Sequence, residues 1–261
     1  MARANIEIVE RVPSTMDTAR ERLHSGAVCL TDGIPTPFAG LMAWEQTAGR
    51  GQRGRTWNSR PGASLCATFY LQHGLDLPTE LGAVALLTGV AVAATLTVRA
   101  SVAETAVDIG LKWPNDVLLD GKKAGGILIE AAHTPEGQMV ALIGIGLNIG
   151  AGAFPPELAS TAISLETIGM TVPDLLALAV DFAEALRAQA ELFRQGNRAE
   201  LVNCWRPWDR TVGRRFHTER DGVAITGIAE GMDEEGRLLL RLPDKTLVAV
   251  GSASTLREAF T

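Results

Sequence analysis

The chain is poor in the residues that build disulfide or metal scaffolds. Its three cysteines, Cys29, Cys66 and Cys204, lie far apart with no C-x-x-C pair, which excludes a disulfide framework or a cysteine-built zinc site and fits a reduced compartment. The four histidines, His24, His73, His133 and His217, are equally scattered and read as surface or packing residues. Excess positive charge is missing too. With a net charge of −6 and an isoelectric point near 5.3, the chain has no general attraction to nucleic acid or to an anionic membrane, and any basic function has to be local. Residues 1–7 hold no apolar stretch of the kind a secretory leader needs, so the cytoplasm is the expected location. One uncharged run, Leu81 to Val98, reaches 18 residues, the lower limit for crossing a bilayer. It is built mostly of Ala, Gly and Thr and lacks an aromatic belt, so it is expected to be a buried helix packed on a sheet.

What is present is a globular composition, 46% hydrophobic and 21% charged over 261 residues, enough for one large domain or a large and a small one. The most distinctive stretch is Gly49-Arg50-Gly51-Gln52-Arg53-Gly54-Arg55, with three glycines and three arginines in seven residues. Such a run cannot pack a core. Glycines let a backbone turn tightly and bring its N–H groups to a ligand, and guanidinium forks bind phosphate or carboxylate, so the run reads as an anion cradle. It matches the G-x-G-x-x-G pattern of dinucleotide sites, but that pattern needs a helix straight after the glycines. Here Trp57-Asn58-Ser59-Arg60-Pro61-Gly62 follows, and Pro61 and Gly62 forbid one. No kinase signature lies downstream. A solvated nucleic-acid loop is the bland alternative; the apolar run Leu41 to Trp44 ahead of it argues for a loop anchored to a sheet.

Taken in order, Ile6 to Val12 alternates as a first strand. Ser14-Thr15-Met16-Asp17 then opens a helix, with Ser14 or Thr15 as N-cap and Asp17 in the first turn. Capping accounts for these residues; a second reading turns the same hydroxyls toward a polar ligand. Ile34 to Phe38 reads as a loop from Gly33 to Gly40, and Leu65 to Leu71 as a strand beyond the cradle. The long helix starts at Pro78-Thr79-Glu80. Leu111 to Glu130 reads as strand, polar turn at Pro114-Asn115-Asp116, strand, hairpin at Asp120-Gly121, and strand. It leaves Lys112, Asp116 and Lys123 at strand ends and Gly125-Gly126 open to close approach. Val140 to Ile149 is another apolar strand, carrying Asn148. Pro173 to Phe193 is an amphipathic helix stopped by Gly196. From Trp208 short strands are expected at 211–216, 223–230, 237–242 and 246–250, with turns that include Asp221-Gly222, as in a small β-barrel or sandwich. The boundary falls at residues 206 and 207, giving units 1–206 and 207–261.

Taken together, Ser14-Thr15, Gln46-Thr47-Ala48 leading into the Gly/Arg run and Thr56-Trp57, Lys112-Trp113-Pro114-Asn115-Asp116, and Lys123-Ala124-Gly125-Gly126-Ile127 resemble the biotin protein ligases over essentially the whole chain. The resemblance implies an α+β fold: a class II synthetase-like catalytic domain, a mixed sheet with packed helices, followed by an SH3-like β-barrel. It implies a ligase that uses ATP and Mg²⁺ to turn biotin into biotinyl-5′-AMP, then hands the acyl group to a lysine of a carboxylase's biotin carboxyl carrier domain. On that match Lys123, Arg50, Asp116 and Lys112 carry the chemistry. Lys123 bridges the biotin carboxylate and the α-phosphate, Lys112 is a further phosphate candidate, and Asp116 either accepts the incoming lysine's proton or helps hold Mg²⁺. Ser14, Thr15, Met16 and Gln46 face the ureido head, with Arg50, Gly51, Gln52 and Gly125 along the biotin. Gly49, Arg53, Arg55, Trp57, Asn115 and Asn148 attend the nucleotide.

Two positions depart from the family pattern. Met16 stands where Asn is common, so one ureido contact comes from backbone alone. Gln52 replaces the middle arginine of the cradle and removes a positive charge beside the intermediate. With the first strand beginning near Ile6, no helix-turn-helix is expected ahead of it, and the expected protein is a ligase without a repressor role, monomeric or homodimeric, bound to neither nucleic acid nor membrane. The rival within the superfamily is a lipoate or octanoate ligase, whose aliphatic substrate would want an apolar slot where Ser14, Thr15 and Gln46 stand. The rival outside it is a nucleic-acid-binding module, which the acidic isoelectric point opposes.

Overall fold

The structure, a computed structural model, describes residues 4–31, 34–36, 38–72, 77–172, 174–195, 198–220, 223–251 and 257–258. In chain order the elements are β1 (Ile6–Val12), α1 (Thr15–His24), β2 (Cys29–Thr31), β3 (Ile34–Thr36), β4 (Gly40–Gln46), β5 (Ser64–Leu71), α2 (Leu77–Val102), β6 (Ile109–Lys112), β7 (Asp116–Leu119), β8 (Lys122–His133), β9 (Met139–Asn148), α3 (Leu175–Gln195) and α4 (Arg198–Trp205). Then come β10 (Arg215–Arg220), β11 (Val223–Met232), β12 (Leu238–Arg241), β13 (Leu247–Val250) and β14 (Arg257–Glu258).

Seven strands form one mixed sheet in the order β1-β4-β5-β9-β8-β7-β6. Among the described strands only β1 and β4 pair in parallel, because α1 and the small β2–β3 hairpin cross between them. The other pairs are antiparallel; β4–β5, β6–β7, β7–β8 and β8–β9 are consecutive strands, while β5 and β9 meet across the intervening α2 and β6–β8. Both faces are covered, which explains why the central strands read as apolar throughout. Alternate residues serve different layers: Met42 joins the core under α2 and α3, while Leu41 joins the smaller core under α1 with Met16, Leu23 and Tyr70. The Tyr70 hydroxyl donates to the Ala19 carbonyl at 3.2 Å, fixing α1 to the sheet.

The uncharged run Leu81 to Val98 lies in α2. Length and composition would let Leu81–Val102 cross a membrane, but 67% of its apolar window is buried inside the protein. It lies against the sheet, α3 and α4. Its small residues permit the closeness: a Cβ on Gly89 would come within 2.5 Å of the Trp205 ring.

The last five strands form a separate antiparallel sheet, β13-β12-β11-β10-β14, as the tight strand spacing predicts. Its apolar side is not self-contained. Phe216, Leu238 and Leu240 belong to the same core cluster as Leu86, Leu111 and Trp205.

Three local expectations fail. Ile34 to Thr36 is a strand, not loop; it pairs with Cys29 to Thr31, and this short hairpin accommodates Pro35 opposite Leu30. The strand expected from 211 starts at Arg215, because Gly213 takes a left-handed φ of 83° and breaks the extension. Arg198–Trp205 is a helix that the periodicity missed. The helix boundaries at Pro173 and Gly196, the turn at Asp221-Gly222 and the loop start at Gly33 lie outside the described residues.

Candidate active site

One wall of the site is the turn from β1 into α1. Ser14 occupies the N-cap position with extended backbone, but its hydroxyl makes no capping bond. The side chain is 1% exposed and its Oγ has no partner. Capping therefore does not account for Ser14; a buried hydroxyl without a partner is costly, and this one lines a cavity. Next to it, the Thr15 backbone N–H and hydroxyl donate to Gln46 Oε1 at 2.7 and 3.0 Å, and Thr68 donates to the Thr15 hydroxyl at 2.9 Å. The Gln46 amide is thereby oriented with its oxygen satisfied and its NH₂ left to donate. Met16 is buried in the same wall. It fits because β9 has a glycine beneath it: a Cβ on Gly144 would come within 2.9 Å of the Met16 sulfur.

The Gly/Arg run connects β4 to β5 as a closed loop. Gly51 N donates to Arg55 O at 2.7 Å, and Trp57 N donates to Gly49 O at 2.8 Å. Its tip is a single 3-10 turn, Gln52–Gly54, with Arg53 at φ 60° and Gly54 at φ 70°. No helix follows, so the dinucleotide reading fails structurally as it did in sequence. The loop is a partition. Arg50, Gly51, Gln52, Arg55 and Trp57 line an inner cavity of about 300 Å³, the lower end of the usual range for small-molecule sites. Gly49 and Arg53, expected on the nucleotide, line a second, outer cavity of about 360 Å³, which shares Arg50, Gly51, Gln52 and Arg55 with the first. The loop's positive charge is also not bare. Arg50 is held at 2.7 Å by Asp17 and at 3.1 Å by Glu130, and Glu130 is shared with Arg20 at 2.7 Å.

The third part is the β6–β7–β8 segment. Lys123 lines the inner cavity and reaches Asp116 Oδ1 at 2.5 Å. Lys112 reaches Asp116 Oδ2 at 3.0 Å. Neither Lys112 nor Asp116 lines the cavity. Burial alone would raise the Asp116 carboxyl, but Lys123 and Lys112 outweigh it and hold it below the usual carboxylate range. Each of its oxygens accepts from one ammonium group, Oδ1 from Lys123 and Oδ2 from Lys112. Asn115 and Asn148 line the cavity and are buried. Each anchors its amide nitrogen on a backbone carbonyl, Ile127 O at 2.9 Å and Ile163 O at 3.1 Å.

Gly125 is not at the cavity; Gly126 is. The register of β7 against β8 shifts between Val117 and Leu118, and such a bulge reverses which side chains share a face. A Cβ on Gly126 would lie 3.6 Å from Lys123 Nζ and 3.5 Å from Trp57, whereas one on Gly125 would meet Gly146 O, Leu147 and Val117.

Sequence reasoning missed several members of the site. Gly146 seats the Trp57 indole: a Cβ there would come within 2.5 Å of the ring. Cys66 lies in the cavity wall as a neutral thiol, pushed up by burial to about 11. Asp17 and Glu130, the partners of Arg50, had no local signal, being 33 and 80 residues away along the chain. As for a divalent cation, no group of three or more His, Cys, Asp or Glu side chains converges among the described residues.

A mixed sheet covered on both faces, a loop-walled cavity with a neutral polar corner and a lysine beside an acid, and a small β-sheet sharing the same core are compatible with a ligase that activates a carboxylic acid. Comparison with known families agrees. Residues 35–148 match the Biotin/lipoate A/B protein ligase family, and residues 213–254 match the Biotin protein ligase C terminal domain. The biotin–[acetyl-CoA-carboxylase] ligase of Mycobacterium tuberculosis is 33% identical over 245 residues, covering 93% of this chain and 85% of the relative. That of Paracoccus denitrificans is 36% identical over 230 residues, covering 84% and 90%. Among solved structures, the biotin protein ligase of Aquifex aeolicus in complex with biotin and ATP superposes with a TM-score of 0.76 at 24% identity, over 98% of this chain and 99% of that one, a likeness of fold. The Leishmania major enzyme in complex with biotinyl-5-AMP gives 0.56 at 28% identity, over 94% and 98%. The chain belongs to the biotin protein ligase family.

Proposed function

We propose that this enzyme activates biotin with ATP, forming biotinyl-5′-AMP and pyrophosphate, and passes the biotinyl group to a lysine of a carboxylase's biotin carboxyl carrier domain. The observation that carries this reading is the layout of the inner cavity. Its wall includes the unpartnered Ser14 hydroxyl and the Gln46 amide on the β1 and β4 side and the Lys123 ammonium on β8. β4 and β8 are three steps apart in the sheet, roughly 14 Å at ordinary strand spacing. One elongated molecule can therefore set a neutral polar head in the Ser14 corner and a carboxylate beside Lys123.

In the first step a carboxylate oxygen of biotin attacks the α-phosphorus. An O–P bond forms, the bond to the bridging oxygen breaks, and pyrophosphate leaves. Both reactants are anions, so a fixed cation at their meeting point and a closed, oriented site are the large available contributions. Lys123 supplies that cation. Arg55 approaches the phosphates from the loop, Trp57 closes the wall, and Asn115 and Asn148 offer rigid polar contacts to the adenylate. Mg²⁺, if carried by the nucleotide's phosphates, would supply further charge neutralisation there. In the second step the acceptor lysine's neutral amine attacks the acyl carbon, the bond from that carbon to the phosphoryl oxygen breaks, AMP departs and the amine's proton passes to solvent.

The chain divides into a catalytic unit, 1–206, and an SH3-like unit, 207–261, and works in the cytoplasm as a monomer or homodimer. The decisive experiment is mass spectrometry of the protein after incubation with biotin, ATP and Mg²⁺, with lipoate as the competing acid. Retained biotinyl-AMP is expected. Retention of lipoyl-AMP alone, or of no adenylate, overturns the reading.

A further inference from the structure

Asp116 sits between two lysines, each on its own oxygen. Lys112 closes β6, Asp116 opens β7 directly across from it, and Lys123 is the second residue of β8. Of the three, only Lys123 lines the inner cavity. The Lys112 and Asp116 side chains are 20% and 15% exposed, that of Lys123 36%. The cluster therefore has a cavity side and a rear side, and it carries one net positive charge.

An incoming anion asks the Lys123 ammonium to turn away from Asp116. A largely buried carboxylate stripped of its partner is strongly unfavourable, so a simple Lys123–Asp116 pair would resist giving up its lysine. A second ammonium already on Asp116 removes that resistance. We propose that Lys112 is the standing counter-ion of Asp116: it stays while Lys123 swings to the carboxylate and α-phosphate. Lys112 thus acts through Asp116 as a positioning residue, not as a ligand of phosphate. This inference rests on the reading of the inner cavity as the site of biotin activation.

The test is biotin-dependent exchange between ATP and pyrophosphate, which reads the first step alone, with thermal unfolding followed for every variant. Lys112→Met keeps the apolar stem and removes the charge, taking the cluster from +1 to 0 and locking Lys123 on Asp116. Exchange is expected to slow about 10- to 100-fold in kcat, with KM for biotin within about twofold, the range of a single lost electrostatic contribution. Lys112→Met combined with Asp116→Asn returns the cluster to +1 with Lys123 unpaired, and is expected to regain most of the lost rate. Direct phosphate binding by Lys112 predicts the opposite, a double variant at least as slow as the single one. Unchanged exchange in Lys112→Met, or no recovery in the double variant, overturns the inference. If Lys112→Met does not fold, the double variant decides: folded and near wild type it supports the counter-ion role, folded and inactive it refutes it. A wild-type protein without biotin-dependent exchange overturns the reading of the cavity itself, and this inference with it.

Discussion

The indole N–H of Trp113 donates to the carbonyl of Gly236 at 3.0 Å, tying the centre of the Lys112 to Asp116 turn to the C-terminal sheet. The backbone at Leu111 and at Trp113 is held by the segment that leads into that sheet. Trp113 N donates to Thr211 Oγ1 at 2.8 Å, and Arg210 N donates to Leu111 O at 2.8 Å. The small sheet thus fixes the strand end that presents Lys112 and, through the turn, Asp116. Thr211→Val keeps the shape and leaves the buried Trp113 N–H without an acceptor. It is expected to cost about 1–3 kcal/mol in denaturant unfolding and to slow adenylate formation roughly tenfold, with Thr211→Ser restoring both. A valine variant equal to wild type in both measurements would show that the C-terminal sheet does not position the turn.

Lys123→Ala tests the cation at the reaction centre. Asp116 keeps Lys112, so the fold is expected to survive, while single-turnover formation of biotinyl-AMP falls by about 10² to 10³. Normal turnover would remove Lys123 from the mechanism.

Gln52 lines the inner cavity, at the cradle position where the family resemblance implies an arginine. We expect Gln52→Arg, by restoring a positive charge beside the intermediate, to slow the release of biotinyl-AMP. Release followed by rapid dilution should be several-fold slower, a modest change for a partly exposed charge. Equal release rates from the two proteins would refute it.

Gly146→Ala places a methyl group within 2.5 Å of the Trp57 ring. Overpacking of this kind costs about 1–3 kcal/mol, and here the indole that walls the cavity has to move. Weaker biotin binding and a shifted tryptophan emission are expected. A variant that binds biotin as tightly as wild type would mean that Trp57 does not shape the pocket.

The Asp116 carboxyl is held below its ordinary range in the folded chain by Lys123 and Lys112, against burial. In acid the unfolded chain takes up this proton before the folded one does, so the stability contributed by the cluster is complete at neutral pH. It is lost as pH falls from the ordinary carboxylate range through the lower folded value. Urea unfolding between neutral pH and pH 3 should show a steeper acid loss for wild type than for Asp116→Asn; parallel curves would contradict the assignment.

Much of this was legible from residue order. β4, the Gly/Arg loop and β5 follow from an apolar run, a glycine cluster and a second apolar run, and the Asp120-Gly121 hairpin from the turn chemistry of that pair. What escaped was long range or hinged on parity. The choice between Gly125 and Gly126 is decided by one bulge opposite Val117 and Leu118, which no alternation pattern announces. The ion pairs of Arg50 come from α1 and β8, so composition showed a positive loop where the folded chain has a compensated one. Ser14 was legible as a helix boundary, while its hydroxyl's idleness depends on tertiary burial. The α4 helix spans only eight residues, too few for a period to declare itself.

The sharing of one apolar interior by Phe216, Leu238 and Leu240 with Leu86 and Leu111 bears on how this enzyme can be dissected or redesigned. Severing the chain near residue 206 would not yield two independent pieces. It would turn a greasy inner surface of the larger fragment outward and invite aggregation, and a graft of a foreign tail would succeed only if it restored that surface side chain by side chain.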